Sequence, residues 1–270
     1  MVTLRSGPRF APVPDLSAQF DPHLLAPIED AGLNASAPTQ QRWLGGWLLR
    51  LAPGKSRRTR CVDALAVGPL PLDEVLQRAE ASYMQSGLPF IVRITPFSQP
   101  AELDARLAAR GHARIDDVRV MVRTGLGGVQ ASASQALAFE SLGHGAFAQA
   151  LGALRESPLA SSQAHAERLR TSAVPYSGVL LRDQGVPVAC GQYALEDDLV
   201  GLYDIYTAEP FRGRGLAGLV CEHLLRQAHV RGARTAYLQV DACNKAARGV
   251  YARLGFRDAY AFHYRGKYEE

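Results

Sequence analysis

The sequence has few cysteines, little excess charge and no long hydrophobic run, and each of these absences excludes a class of protein. Its four cysteines include no C-x-x-C pair, so the spacing typical of zinc and redox sites is missing. Thirty basic residues against 26 acidic ones give a net charge of +4, whereas a nucleic-acid-binding surface needs clustered Lys and Arg. The densest basic segment, Lys55–Arg60, is interpreted as a solvated hairpin end. No stretch approaches the ~18 consecutive apolar residues of a membrane-spanning helix.

The histidines and the N-terminus give no signal for a metal site or for export. None of the seven histidines has a metal-ligand spacing; His223 and His229, for example, are six residues apart on one predicted helix and do not share a face. Met1–Phe20 is interrupted by three prolines and lacks the apolar segment of a secretory signal. We therefore expect a cytoplasmic protein with reduced thiols, no metal, and neither a nucleic acid nor a membrane as partner.

Composition divides the chain into four segments. The first ~25 residues are rich in Pro, Ala and Ser, and Thr124–Ser134 is rich in Gly and Ser and carries no charge, which is typical of a linker. The predicted organisation is therefore an irregular arm at 1–25, a first domain at 26–124, a linker at 125–134 and a second domain at 135–270.

Hydrophobic periodicity predicts a mixed α/β structure in the second domain. Helices are expected at 136–150, at 163–170, and from Leu216 to a stop at Gly232. Strands are expected at 179–182, 186–195, 199–207, 235–241 and 259–265, the first two joined by a hairpin turn at Gly185. Because short turns join the first three strands, that part of the sheet should be antiparallel. A short helix should begin at Asn244, a good N-cap residue, and end before Gly255.

The first domain repeats part of this order. A helix at 72–86 ends at Gly87, a strand follows at 90–95, a second helix at 102–110 ends at Gly111, and a strand follows at 118–123. The offset from Gly87 to Gly232 is 145, and the offset from Gly111 to Gly255 is 144. This nearly constant offset indicates an internal duplication.

The segment richest in chemistry is Arg212-Gly213-Arg214-Gly215-Leu216-Ala217, which we call the glycine loop. It lies between a predicted strand and a predicted helix. Its glycines allow a ligand to approach the backbone closely, and the first amides of the following helix lack intrahelical acceptors. Such a helix start is an anion-binding site, to which Arg212 and Arg214 can add charge-assisted hydrogen bonds.

Two sequence motifs resemble the GNAT superfamily of N-acetyltransferases. TAEPFRGRGLAGLVCEHLL is similar to motif A of that family, Arg/Gln-x-x-Gly-x-Gly/Ala, with Arg212, Gly215 and Ala217 in the three fixed positions. YLQVDACNKAARGVYARLGF resembles the second signature of the family, an Asn that opens a helix, a Tyr seven residues later and a Gly-Phe at the helix end. The resemblance covers about residues 130–265, and the first half resembles a degenerate second copy of the same domain.

The resemblance implies a fold and a cofactor site. The fold class is α/β, two GNAT-like domains with mixed, mostly antiparallel sheets flanked by helices and with a splayed central strand pair. Acetyl-CoA would lie where strands 199–207 and 235–241 part. Its pyrophosphate would bind the amides of the glycine loop, namely Arg212, Gly213, Arg214, Gly215, Leu216 and Ala217. Its pantetheine arm would pair with the backbone of Ile205, Tyr206 and Thr207, and Asn244, Ala247 and Tyr251 would complete the site.

Three side chains are candidates for specific roles. By resemblance Tyr251 is the proton donor to the departing thiolate, and its seven-residue spacing places it on the helix face of Asn244. Asn244 is either a helix cap alone or also a cofactor contact. Asp204, the one acid inside its strand, is either a general base or substrate anchor, or an acid paired with a neighbouring Arg.

The first half lacks the features of a cofactor site. Opposite the glycine loop it has Ala66–Leu72, in which Pro69 and Pro71 remove amide donors, and opposite Tyr251 it has Leu107. We therefore expect the first half to bind no acetyl-CoA and to form a wall of the acceptor pocket. The expected function is transfer of an acetyl group to a primary amine of a small molecule or peptide by direct attack in a ternary complex, in a monomer or homodimer. The alternative is a non-catalytic acyl-CoA-binding or sensor module.

Overall fold

The structure, a computed structural model, describes residues 20–53, 56–127 and 137–267. In these ranges the chain forms seven α-helices and eleven β-strands. The helices are α1 (Pro22–Ala35), α2 (Leu72–Gln85), α3 (Leu103–Ala109), α4 (His144–Leu154), α5 (Leu159–Thr171), α6 (Leu216–Val230) and α7 (Lys245–Arg253). The strands are β1 (Gln41–Leu44), β2 (Trp47–Arg50), β3 (Val62–Ala64), β4 (Ile91–Ile94), β5 (Ala113–Thr124), β6 (Leu137–Leu142), β7 (Tyr176–Asp183), β8 (Val186–Glu196), β9 (Leu199–Thr207), β10 (Thr235–Asp241) and β11 (Arg257–Gly266).

All eleven strands form one continuous mixed sheet, in place of the separate sheet predicted for each half. The strand order is β1-β2-β3-β4-β11-β5-β10-β9-β8-β7-β6. The final strand of each half has crossed to the other half: β11 lies between β4 and β5, and β5 lies between β11 and β10. This exchange joins the halves through antiparallel backbone hydrogen bonds along the whole length of β5.

The two halves repeat one unit. The order β3-α2-β4-α3-β5 corresponds to β9-α6-β10-α7-β11, and one constant offset in the sequence separates the starts of α2, β4 and β5 from those of their counterparts. In both units the first two strands are parallel to each other. The glycines that end the four helices of the two units all have positive φ, namely Gly87, Gly111, Gly232 and Gly255. The order of elements that the sequence predicts is thus present in both halves.

Three groups of helices cover the sheet. Helix α6 packs its apolar stripe, including Val220 and Leu224, against β8, β9 and β10, and Tyr251 of α7 joins the same core. Helices α4 and α5 pack with the C-terminal end of α1 against β7 and β8. Helices α2 and α3 cover β2, β3 and β4 in the first half.

A buried charge network fixes α1 to both halves. Glu29 of α1 pairs with Arg93 of β4 and accepts a hydrogen bond from the Tyr260 hydroxyl of β11 at 2.7 Å. The Arg93 guanidinium also reaches Asp63 of β3 at 3.5 Å, and Asp63 pairs with Arg50 of β2 at 3.2 Å. All four charged side chains are at most 5% exposed. Two acids and two guanidiniums therefore compensate one another within the core.

Most of the elements predicted for the second half are confirmed. The antiparallel β7–β8–β9 meander is present, and Gly185 adopts φ +85° in the first turn, a conformation that favours glycine. Strand β10 has the predicted bounds 235–241, and α6 ends before Gly232 as expected.

Two predictions were wrong. The helix expected at 136–150 is a strand, β6, followed by α4, because residues 137–142 pair along their whole length with β7 and this pairing overrides the local helix propensity of Ala and Leu. Residues 1–19 of the arm predicted at 1–25 lie outside the described residues. The last residues of that arm are not irregular, because they begin α1. The Asp21 carboxylate caps this helix by accepting from the His23 amide at 2.9 Å. Most of the linker predicted at 125–134 also lies outside the described residues.

Candidate active site

Strands β9 and β10 separate part-way along their length. They pair in parallel from Leu199–Thr235 to Leu202–Leu238 and no further. The remaining parts, 203–207 of β9 and 239–241 of β10, form what we call the fork. On its other edge β9 is paired with β8 up to Thr207, apart from a register shift at residues 204–205. Its edge facing β10 is left without a strand partner over the whole of 203–207. The splayed strand pair implied by the resemblance is therefore present in the sheet.

The glycine loop lies between β9 and the start of α6. Gly213 and Gly215 adopt φ +79° and +77°, and a methyl group on either would meet no atom within 4 Å. In the described parts of the chain the amides of residues 213–217 donate to no protein acceptor; Gly218 is the first to bond back, to the Gly215 carbonyl at 3.0 Å. The loop thus presents free N–H groups to open space at the positive end of α6.

The other side chains of the loop are already engaged. Arg214 is tied to the Asp183 carboxylate at 2.7 Å, and the Arg212 Nε donates to the Thr207 carbonyl at 3.3 Å. Leu216 is buried in the core and Ala217 is half-buried, so both have only their backbones available. The arginines therefore hold the loop in shape. The Arg212 amide donates to the Glu209 carbonyl at 3.3 Å, so the amides available to a ligand are those of residues 213–217.

The three candidate contacts on β9 differ in where their side chains lie. Ile205 packs into the core beneath α6, and Tyr206 lies beside the guanidiniums of Arg212 and Arg155. The Thr207 hydroxyl is buried and has no hydrogen-bond partner among the described residues. A buried hydroxyl without a partner is unusual, and here it lies next to the glycine loop.

Helix α7 holds the other predicted contacts. The Asn244 carboxamide caps the helix by accepting from the Ala247 amide at 3.1 Å, which confirms its role as a cap. Tyr251 is buried in the α6 core, with its ring 6.1 Å from that of Phe256. Burial, and secondarily the Cys221 thiol, raises the pKa of Tyr251 well above its ordinary value. Its hydroxyl therefore stays protonated at neutral pH.

Asp204 lies at an irregular point of β9. Its φ is +51°, and the pairing of β8 with β9 shifts register here, as in a β-bulge. The Asp204 carboxylate accepts from the Gln192 carboxamide at 2.7 Å, lies 3.3 Å from the His165 Nε2 and 3.5 Å from an Arg155 guanidinium nitrogen. It is therefore a paired acid beside the fork, in agreement with the second of the two interpretations drawn from the sequence.

The residues around Asp204 were missed in the sequence. Arg155 follows α4, and His165 and Arg168 lie on α5, so two strands and their connections separate all three from Asp204 along the chain. Burial lowers the pKa of His165, although the Asp204 charge opposes this effect, so the imidazole is neutral at physiological pH. The one available signal was the i,i+3 spacing of His165 and Arg168, which places both on one helix face.

The corresponding region of the first half is closed. A methyl group on Gly68, in the segment equivalent to the glycine loop, would lie 2.2 Å from the Gly45 carbonyl oxygen, so this loop is packed against the β1–β2 turn. The parallel pairing of β3 with β4 ends at Asp63 and Arg93, which belong to the buried network. There the Glu29 carboxylate of α1 forms an ion pair with Arg93. Within the described residues this half has neither an open loop nor an empty strand edge at that place.

Comparison with known proteins identifies the architecture. Residues 148–256 match the sequence model of the Acetyltransferase (GNAT) family. A GCN5-related N-acetyltransferase from Kribbella flavida superposes over 91% of this chain and 96% of its own, with a TM-score of 0.67 and 17% identity. The fold is a GNAT fold.

Two further similarities extend over most of the chain. The GNAT-fold chain is 27% identical to an uncharacterized N-acetyltransferase, YobR, of Bacillus subtilis. The alignment spans 234 residues, which are 84% of this chain and 92% of YobR. A tandem GNAT protein from the clavulanic acid biosynthesis pathway superposes on this chain with a TM-score of 0.62 and 15% identity. The superposition covers 77% of this chain and 75% of that protein.

Two features are absent from the described residues of the GNAT-fold chain. In residues 20–53, 56–127 and 137–267 no three His, Cys, Asp or Glu side chains are grouped as a metal site would require. In the same ranges no helix has the length and apolar content needed to cross a membrane.

Proposed function

We propose that the protein is an acetyl-CoA-dependent N-acetyltransferase that acetylates a primary amine. The observation that carries the proposal is the fork, which opens beside a glycine loop in which the amides of residues 213–217 have no protein acceptor among the described residues. The match of residues 148–256 to the GNAT family supports the same reaction class. In this arrangement the loop amides of residues 213–217 hold the pyrophosphate, and the free edge of β9 at Ile205, Tyr206 and Thr207 pairs with the pantetheine arm.

Transfer then proceeds by direct attack of the amine on the thioester in a ternary complex. The neutral amine attacks the carbonyl carbon, the C–S bond breaks, and the acetyl group passes to the nitrogen. Tyr251, whose hydroxyl is protonated at neutral pH, donates a proton to the departing thiolate, and the proton that the amine loses restores the tyrosine. Asn244 and Ala247, whose mutual hydrogen bond opens α7, lie at the cofactor side. Asp204 acts on the acceptor side, where it positions His165 and Arg155 around the incoming amine.

The two halves have different tasks in this proposal. They are two GNAT-like copies, at 26–124 and 135–270, of which only the second binds acetyl-CoA. The packed loop at Gly68 and the buried network at Arg93 support the absence of a cofactor from the first copy. That copy completes the sheet through β5 and supplies a wall of the acceptor pocket.

The proposal is tested by titration calorimetry of acetyl-CoA into the purified full chain. We expect one equivalent to bind, and a Gly215→Leu variant to lose that binding because its side chain fills the open space over the loop amides. Gly232→Leu is the matched control: it places the same side chain at a positive-φ glycine in open space at the other end of α6. It should bind as the wild type does.

Three results would decide differently. Two equivalents per chain would contradict a closed first copy, and no binding at all would contradict the proposal as a whole. Binding without release of CoA in the presence of any amine would favour the alternative function, an acyl-CoA sensor.

A further inference from the structure

Two arginines reach the fork from opposite sides. Arg58, in a short 3-10 helix at Arg57–Thr59 of the first half, donates to the Gln239 carboxamide oxygen at 3.0 Å. Gln239 is the first residue of β10 beyond its pairing with β9. On the other side, Arg168 of α5 lies 3.1 Å from the His165 Nε2, and His165 in turn contacts Asp204 of β9.

The charges of both guanidiniums act on the same pair of tyrosines, Tyr176 and Tyr203. Arg168 lies over the ring of Tyr176, 5.6 Å from its centroid, and Tyr176 packs edge-on against Tyr203 at the base of the fork. Burial raises the pKa of Tyr203, and the charges of both Arg58 and Arg168 act in the opposite direction. The same two charges act on Tyr176. Two positive charges therefore converge on one small region.

Neither charge is compensated by a carboxylate in the described parts of the chain. Their neighbours show the contrast: Arg57 pairs with Asp116 at 2.7 Å, and Arg155 pairs with Asp204. Arg58 and Arg168 are both half-buried, yet their hydrogen-bond partners include a neutral carboxamide and an imidazole whose pKa is lowered. Since partly buried charges are normally paired, this region is suited to an anion that arrives with a ligand.

The position of Arg58 is fixed from within the core. The Arg50 guanidinium, part of the buried network, donates to the Arg58 carbonyl at 3.2 Å. Beside it is a cavity of about 230 Å³ between the 3-10 helix and the fork. Its lining includes Gln239 and Asp241 of β10, Tyr264 of β11, and Asp116, whose carboxylate is paired with Arg57. The first half thus contributes an anchored guanidinium and an open space next to it.

We propose that the acceptor is a primary amine that also carries an anionic group, a carboxylate or a phosphate, held between Arg58 and Arg168 with its amine directed to the fork. This inference rests on the proposed acetyltransferase function. A planar guanidinium group suits both anions, because its N–H groups can bind two oxygen atoms of a carboxylate or phosphate at once.

The test compares matched acceptors by CoA release from acetyl-CoA. The pairs are glycine, β-alanine and γ-aminobutyrate, each with its carboxamide, and aminoethyl phosphate with ethanolamine. In the wild type we expect at least one anionic acceptor to be turned over with a kcat/KM at least tenfold above that of its neutral partner. Arg58→Gln and Arg168→Gln should each lower kcat/KM for the anionic acceptor about tenfold or more, as expected for the loss of a charged hydrogen bond, and leave that of the neutral partner unchanged.

Arg170→Gln is the matched control. It lies two residues along α5, is exposed and pairs with Glu167, so it should alter neither acceptor. Because each acceptor is compared with itself across the variants, differences in intrinsic amine reactivity cancel. Preference for the carboxylates or for the phosphate identifies the anion.

The inference is overturned if no anionic acceptor is turned over, or if the neutral partners are used equally well. It is also overturned if Arg58→Gln and Arg168→Gln reduce both members of a pair alike. A wild-type chain that fails to bind acetyl-CoA in the calorimeter would instead count against the proposed function, so the two failures are distinguishable.

Discussion

The buried network around Arg93 gives the sharpest prediction about stability. Arg93→Met keeps most of the apolar volume of the side chain but removes the guanidinium that joins Glu29 to Asp63. Asp63 retains Arg50, whereas the partner that Glu29 retains among the described residues is the Tyr260 hydroxyl. Leaving a buried charge without its partner costs about 3–5 kcal/mol, a large share of the roughly 5–15 kcal/mol that stabilises a typical folded protein.

The cost should be visible in both thermal and chemical unfolding. At roughly 2–4 °C per kcal/mol for a chain of this size, Arg93→Met should lower Tm by about 6–20 °C, with a parallel fall in the urea midpoint. The matched control is Arg78→Met, which removes an exposed i,i+4 pair with Glu74 and should cost under about 1 kcal/mol. Combining Arg93→Met with Glu29→Gln should cost less than the sum of the two single changes, because the charge stranded by the first is absent.

The pH dependence of this variant follows from Glu29. Burial by itself would raise the pKa of Glu29, but the Arg93 guanidinium and the Tyr260 hydroxyl hold it below its ordinary value. Without Arg93 burial prevails and the pKa rises, so the stability of the variant falls as pH rises through that value. The difference from the wild type should therefore be larger at pH 8 than at pH 5. A loss under about 1 kcal/mol, or a loss independent of pH, would refute the role given to this network.

Two further predictions concern a catalytic group and a surface ion pair. Tyr251→Phe should lower kcat about 100-fold, the scale of general acid catalysis, with acetyl-CoA affinity unchanged. The control is Tyr193→Phe, which removes a hydroxyl that has no partner among the described residues of the same core and should keep full activity. Full kcat in Tyr251→Phe would exclude Tyr251 as the acid. Hydrogen bonding by His263, opposed by burial and aided by Arg265, lowers the pKa of Asp104. Asp104 therefore stabilises the fold above its unfolded pKa of about 3.9 and loses this effect as pH falls. The difference in urea midpoint between Asp104→Asn and the wild type should therefore be smaller at pH 3 than at pH 7, and an equal difference at both would contradict the assignment.

The sequence predicts those elements that local patterns determine. Glycines with positive φ end the repeated helices, Asn244 caps α7, and the turn at Gly185 joins two alternating strands; each depends on neighbours a few residues away. Strand β6 could not be predicted in this way, since its Ala and Leu content favours a helix and only pairing with β7 decides otherwise. The exchange of β5 and β11 depends on contacts between the two halves of the chain. The hydrophobic periodicity of a local segment carries no information about such contacts, so the exchange could not be predicted from it.

The same limit applies to the candidate site. The glycine loop is continuous in the chain and is evident from its residues, as is the seven-residue step to Tyr251. By contrast, Arg58 and Arg168 belong to different halves of the chain, and both lie near the fork only because the fold brings α5 and the 3-10 helix of the first half to it. The bulge that turns Asp204 towards His165 is likewise a product of strand pairing.

The crossing of β11 into the first half affects how the chain is made. Strand β5 ends at Thr124 and β11 begins at Arg257, so at synthesis rates of about 5–20 residues per second the ribosome needs roughly 7–27 s to deliver the missing partner. Until then β4 and β5 each have an unpaired edge, the feature through which nascent chains join into aggregates. The single strand β11 thus closes both halves at once, and a nonsense or frameshift mutation that removed only this strand would leave the entire first half unfinished.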